Sequence, residues 1–159
     1  MTDIEKRKAA REMLGKLEML RKEKFAILLH IKAVERDMGP SGLRVTNYAD
    51  ERVSGSRSED IMEDLRRYTE LLAALSDMKD KVVEEELRIL AILNLMPTNK
   101  YRLVLIGKYI NGDTLETVAR LNGYAHETIK EWHRDALLEF YEKSEAYSDL
   151  PTLTPLELC

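Results

Sequence analysis

Cysteine is almost absent from these 159 residues. The single one, Cys159, is the last residue, so an internal disulfide framework and a cysteine-based zinc site are both excluded. Glycine (7), proline (4) and aromatic residues (6%) are sparse, which argues against an all-β sandwich or a collagen-like chain. No apolar run approaches the roughly 18 residues that a membrane-spanning helix requires. The opening residues, Met1-Thr2-Asp3-Ile4-Glu5-Lys6-Arg7, are followed by no apolar stretch of the kind that marks a signal peptide. The expectation is a soluble, cytoplasmic protein with no membrane partner. Histidine is also scarce, at positions 30, 126 and 133. With no cysteine nearby, no metal site and no cofactor are expected. A glycine-rich phosphate loop is missing, and no Ser/His/Asp grouping sits on a recognisable turn, so an enzyme is not expected.

What is abundant is charge, at 34%, alongside 44% hydrophobic residues. Leu, Glu, Lys, Arg, Ala and Met dominate, the composition of long helices. Net charge is −4, and it is unevenly spread. Residues 1–37 carry 10 basic and 7 acidic side chains, whereas residues 58–96 carry 5 and 10, and residues 97–159 carry 7 and 10. A nucleic-acid-binding reading therefore has to account for an acidic C-terminal third.

Apolar positions recur at Ala10, Met13, Leu17, Leu20, Ile27, Ile31, Val34 and Met38. Lys24 fills the gap, and Leu14 and Leu28 widen the stripe. This heptad seam predicts a helix from residue 3 to about 38, roughly 50 Å long. Gly39-Pro40-Ser41-Gly42 stops it. Residues 39–57 read as a loop whose Leu43, Val45, Tyr48 and Val53 suggest partial packing. Ser56 or Ser58 is the expected N-cap of a second helix running to about Met96. Its seam is Ile61, Leu65, Tyr68, Leu72, Leu75, Lys79, Val82, Glu86, Ile89, Leu93 and Met96. Leu17 and Ile31 on the first helix and Leu72 and Leu75 on the second are the expected central seam positions of the pair. A second stripe, Leu71, Met78, Val83, Leu87, Leu90 and Ile92, runs beside the seam. Two such helices predict a long antiparallel hairpin over residues 1–96. The second stripe needs further cover, from a dimer partner or from the rest of the chain. Lys24, Lys79 and Glu86 are either solvated edge residues or determinants of register and oligomeric state.

Beyond Pro97 the pattern changes. A helix is expected from about 98 to 110, burying Leu103, Ile106, Tyr109 and Ile110. Thr114–Leu121 follows as a short helix, Asn122-Gly123-Tyr124 as a tight turn, and Ala125 to about Tyr141 as a longer helix. Residues 144–159, with Pro151 and Pro155, read as a flexible tail. Thr114 to Ile129 has helix-turn-helix spacing. Val118 faces inward, Ala119 is small where helices cross, and Gly123 supplies a left-handed turn. Tyr124, Ile129, Trp132 and Leu137 would close the core. The fold class is therefore all-α: a coiled-coil-like hairpin, then a trihelical helix-turn-helix domain over residues 97–143.

Residues 97–141 resemble region four of bacterial sigma factors in Thr114-Leu115-Glu116, Gly123, Ala125-His126-Glu127 and Ala136-Leu137. The whole chain, including Val53-Ser54-Gly55-Ser56 and Lys108-Tyr109-Ile110-Asn111-Gly112, is similar to the ArpU/RinA-type regulators of phages of Gram-positive bacteria. The resemblance implies a DNA-binding activator of late phage genes, acting with RNA polymerase in the bacterial host cell. It places the base-reading positions on His126, Glu127, Lys130 and Glu131, with Thr128 and Arg134 alongside. Where sigma region four has a basic residue this chain has His126, and where it has Gln this chain has Glu131. A glutamate accepts from cytosine N4 but repels phosphate, so the promoter element read by the main sigma factor is not implied. Three basic residues (Lys130, Arg134, Lys143) against five acidic ones (Glu127, Glu131, Asp135, Glu139, Glu142) over 126–143 predict weak DNA binding by a monomer. A homodimer would present two such heads.

Several features have competing readings. The trihelical domain could bind protein instead of DNA. A small terminase-like DNA-packaging protein would also combine a helix-turn-helix with helical oligomerisation segments. His126 and His133 could be ordinary surface histidines, and Trp132 a core residue or a base-stacking platform. The basic run Lys6-Arg7-Lys8-Arg11 could be a solvated face or a supplementary phosphate contact.

Overall fold

The computed structural model describes residues 1–38 and 54–149, with side chains in the second long helix from Glu59 onward. The expected packing of Leu43, Val45, Tyr48 and Val53, and residues 150–159 of the expected tail, lie outside the described residues. The described chain is all helical. Helix α1 spans Asp3–Met38, α2 Ser54–Leu95, α3 Asn99–Leu105, α4 Leu115–Asn122 and α5 His126–Ser148, and Ile106–Ile110 form a π-helix directly after α3.

Helix α1 starts on a reciprocal cap. The Thr2 N–H donates to Glu5 Oε2 at 2.6 Å, and the Glu5 N–H donates to Thr2 Oγ1 at 3.3 Å. This is a capping box, which satisfies two of the helix's orphan donors. Helix α2 begins at Ser54, ahead of the expected cap, so Ser56 and Ser58 lie inside it. Helix α5 continues to Ser148, making residues 144–148 helical. Ser144 is buried there, and its hydroxyl donates to the Tyr141 carbonyl at 2.7 Å.

By contacts, the chain divides into two compact units: Met1–Glu18 with the chain from Glu84 onward, and Met19–Val83. In the first unit, Lys16 Nζ meets Glu85 Oε2 at 3.3 Å. In the second, Arg67 Nη2 meets His30 Nε2 at 3.0 Å and the Tyr68 hydroxyl donates to Glu35 at 2.9 Å. Within the second unit, the last part of α1 and the early part of α2 are thus paired as the two arms of a hairpin.

The α1 seam holds: Ala10, Leu17, Ile31, Val34 and Met38 are buried. On α2 only one of the two heptad rows does. Leu75, Val82, Ile89 and Met96 are buried, with Ile61 and Tyr68 half-buried, whereas Leu65, Leu72 and Lys79 are exposed. Leu72, expected at the centre, is 42% exposed. The buried stripe has turned toward the row of Leu71, Met78, Glu85 and Ile92, so Glu85 is buried where Glu86 is half-buried. Burial pushes the Glu85 carboxyl up, but Arg88 at 2.8 Å and Lys16 outweigh it and hold it below the usual range.

Helices α3, α4 and α5 form the C-terminal part of the first unit, with α3 and α4 both packed on α5. The Thr98 N–H, at the start of α3, donates to Glu139 Oε1 from α5 at 3.2 Å. Val104, Leu105 and Gly107 are buried, while Leu103 is exposed and Ile106, Tyr109 and Ile110 are half-buried. The expected inward face is thus displaced by about one residue. The displacement is already present in α3; a π-turn follows it, in which the Asn111 N–H reaches back five residues to the Ile106 carbonyl at 2.9 Å.

Candidate nucleic-acid interface

Thr114 caps α4, its hydroxyl accepting from the Thr117 N–H at 3.1 Å. Gly123 ends α4 in the left-handed region, at φ 72° and ψ 28°. The Tyr124 N–H then returns to the Ala119 carbonyl at 3.0 Å, closing the helix end. Ala125 is the extended N-cap residue of α5. Three residues therefore join α4 to α5, and both helices share one core: Val104, Val118, Ala119 and Ile129, with Leu115 and Trp132 packed against it. Trp132 is half-buried, held edge-on by Tyr124 at 4.7 Å and under the Lys100 ammonium at 5.2 Å. Tyr124 itself is 49% exposed and lids Trp132 instead of entering the core. Its place directly after the left-handed turn leaves one side of the ring to solvent.

The opposite face of α5 is polar. His126, Glu127, Lys130, Glu131 and Arg134 are exposed, and Thr128 is half-buried between the faces. Ile129, Ala136, Leu137 and Phe140 are fully buried behind them. Lys130 Nζ pairs with Glu127 Oε1 at 2.8 Å. That hydrogen bond, with the Lys130 charge behind it, holds the Glu127 carboxyl below the usual range. Arg134 makes only a loose approach to Asp135, at 3.9 Å.

His133 is no surface histidine. It is 7% exposed, and its Nε2 lies 3.0 Å from the Tyr109 hydroxyl, the two rings stacking at 5.8 Å. Burial, then the charges of Lys108 and Arg11, lower its pKa from 6.5 to about 4. His133 is thus neutral near pH 7. The sequence carries a signal for its burial, since His133 stands four residues after Ile129 and four before Leu137, on the face that those residues bury.

The exposed face borders an open cleft of about 610 Å³. Arg11 of α1, Lys108 and Tyr109 of the π-helix, Leu115 of α4, and Glu127, Lys130, Glu131, His133 and Arg134 of α5 line it. Four of the six side chains expected to face DNA therefore lie on one concavity, while His126 and Thr128 lie outside its lining. Of the basic run at the N-terminus, only Arg11 reaches the cleft. Among the described residues no group of His, Cys, Asp or Glu could hold a metal ion, and no helix is long and apolar enough to cross a membrane. No family model, curated protein or solved structure matches the chain.

Proposed function

We propose that this chain is a DNA-binding transcription regulator, a late-gene activator of the ArpU/RinA type that works with host RNA polymerase and binds double-stranded DNA as a dimer. The observation that carries the reading is the two-sided start of α5. A row of exposed polar side chains runs along its first three turns, backed by fully buried Ile129 and braced by α4 through the left-handed Gly123 turn. A helix so held can enter a major groove with its N-terminal residues toward base edges, while later residues reach phosphates. Lys130 offers a donor to guanine and Glu131 an acceptor for cytosine N4. For Lys130 to reach a base it must leave Glu127, so reading is coupled to breaking an exposed pair that is itself worth little.

Selection from a pool of random duplexes with the full chain tests this. Enrichment of a defined motif is expected. Lys130→Ala should weaken binding to that motif by about 1–3 kcal/mol if it contacts guanine. Glu127→Ala should change the selected sequence more than the affinity, because it also removes repulsion from the backbone. With helicity unchanged in both variants, wild-type selectivity in both would remove α5 as the reader. No retained duplex even at low salt would leave protein binding as the domain's role.

A further inference from the structure

The charges that α5 brings to the cleft cancel. Lys130 and Arg134 stand against Glu127 and Glu131. Lys130 is moreover tied to Glu127 at 2.8 Å. A duplex carries one negative charge per roughly 1.7 Å of axis, and attraction to it requires a positive excess. The whole excess in this cleft comes from two residues outside the reading helix, Arg11 on the third turn of α1 and Lys108 on the π-helix. Neither has an ion-pair partner among the described residues; Lys108 Nζ lies 5.8 Å from the Tyr109 ring centre. Both act on the same neighbour, since the charges of Lys108 and Arg11 each press on His133.

Packing fixes the backbone that carries Arg11: Ala10, Leu14 and Leu17, on the flank of α1 adjoining it, are fully buried. Just ahead of α1, Met1 Sδ lies 3.2 Å from the Tyr141 hydroxyl of α5, whose proton goes to Glu145 at 2.8 Å. Lys108 is held by the π-turn, whose Gly107 is buried against Val118. The cleft thus has one balanced wall, suited to discriminating bases, and one purely cationic wall.

Resting on the DNA-binding reading above, we propose that the N-terminal end of α1 is part of the nucleic-acid face, and that Arg11 and Lys108 together hold one backbone phosphate beside the groove that α5 enters. Arginine's planar fork suits a phosphate oxygen pair, and the lysine adds a point charge. Such a contact fixes the register of α5 without reading sequence.

The test uses the full chain and two duplexes, the one enriched by selection and one of random sequence. Arg11→Gln should weaken binding to both by the same factor, about tenfold near 0.1 M salt. It should lower the slope of log affinity against log salt by about one, and leave the selected motif unchanged. Arg11→Lys should keep the slope, because it keeps the charge. Lys32→Gln, the same charge change on an exposed part of α1 away from the cleft lining, is the control. An Arg11→Gln protein whose affinity and salt slope match those of Lys32→Gln overturns the phosphate contact alone, leaving α5 as reader. A wild-type protein that binds neither duplex overturns the reading and the contact with it. Circular dichroism and melting temperature should be unchanged, since Arg11 is exposed.

Discussion

At the scale of single residues, two glycines and one histidine carry the most structure. A Cβ built on Gly107 would stand 2.7 Å from Val118 Cγ2, inside the shared core, with no flexible side-chain end to move aside. Gly107→Ala should therefore destabilise by about 1–3 kcal/mol in urea unfolding. Adding Val118→Ala should cost less in that background than in the wild type, the signature of a shared contact. Gly123 matters for another reason: nothing crowds it, but its φ of 72° penalises any side chain. His133 sets a pH dependence. Its folded pKa of about 4 lies below its ordinary 6.5. The unfolded chain therefore binds a proton that the folded one refuses between those values. The resulting stability is complete above about pH 6.5 and lost as pH falls toward 4. The loss should be about 3 kcal/mol, and His133→Gln should flatten that part of a stability-versus-pH curve. A curve identical to wild type over that window would contradict the buried, neutral assignment. Glu85 contributes separately, with stability that is lost only as pH falls below its usual carboxylate range.

At the scale of the element, α2 shows what a heptad pattern does and does not specify. Its two rows share the same heptad spacing. Yet Leu75, Val82, Ile89 and Met96 are buried, while Leu65 and Leu72 are exposed. The polar residues mark the difference, because Lys79 and Glu86 share the row of Leu65, Leu72 and Leu93. Only where the last helices are in the same unit does that row close, at Leu93. Leu17→Ala should cost about 2–5 kcal/mol in thermal unfolding, as core truncations do, and Leu72→Ala under about 1. Equal losses at the two positions would mean that Leu72 has a partner in solution that a single chain does not supply.

For the whole molecule, the exposed apolar row on α2 bears on oligomeric state. Val83 and Leu87 are 54% and 61% exposed, one turn apart on the same helix, and Leu90 continues the row half-buried. Apolar rows of this kind are uncommon on a monomer. Sedimentation at micromolar concentration should show a dimer, and Leu87→Glu should shift it toward monomer without loss of helicity. A monomeric wild type would remove the dimer from the proposed function, and rings of many copies would favour DNA packaging over regulation. A dimer also bears on affinity, since two clefts on one duplex act at high effective concentration.

The sequence by itself determined several features that are set within one or two turns of chain. The helix-only composition, the α1 seam, the Thr114 cap, the Gly123 turn and the burial of Val118, Ala119 and Ile129 were all legible, because period, cap and left-handed glycine are local signals. The Thr2–Glu5 capping box is equally legible, in its Thr-x-x-Glu spacing. The resemblance to sigma region four placed a row of candidate residues on α5, and the start of that helix is where the exposed polar face lies. Tertiary structure alone decided the rest. It turned the buried α2 stripe toward Glu85, extended α5 to Ser148, left Tyr124 half outside, and inserted the π-turn that pairs Tyr109 with His133. It also brought Arg11 to a cleft whose other charged walls are numbered about a hundred residues later. An edge row or a lone arginine has no preferred partner until distant elements are in place, and for those positions the free energy lies in contacts that no local pattern encodes.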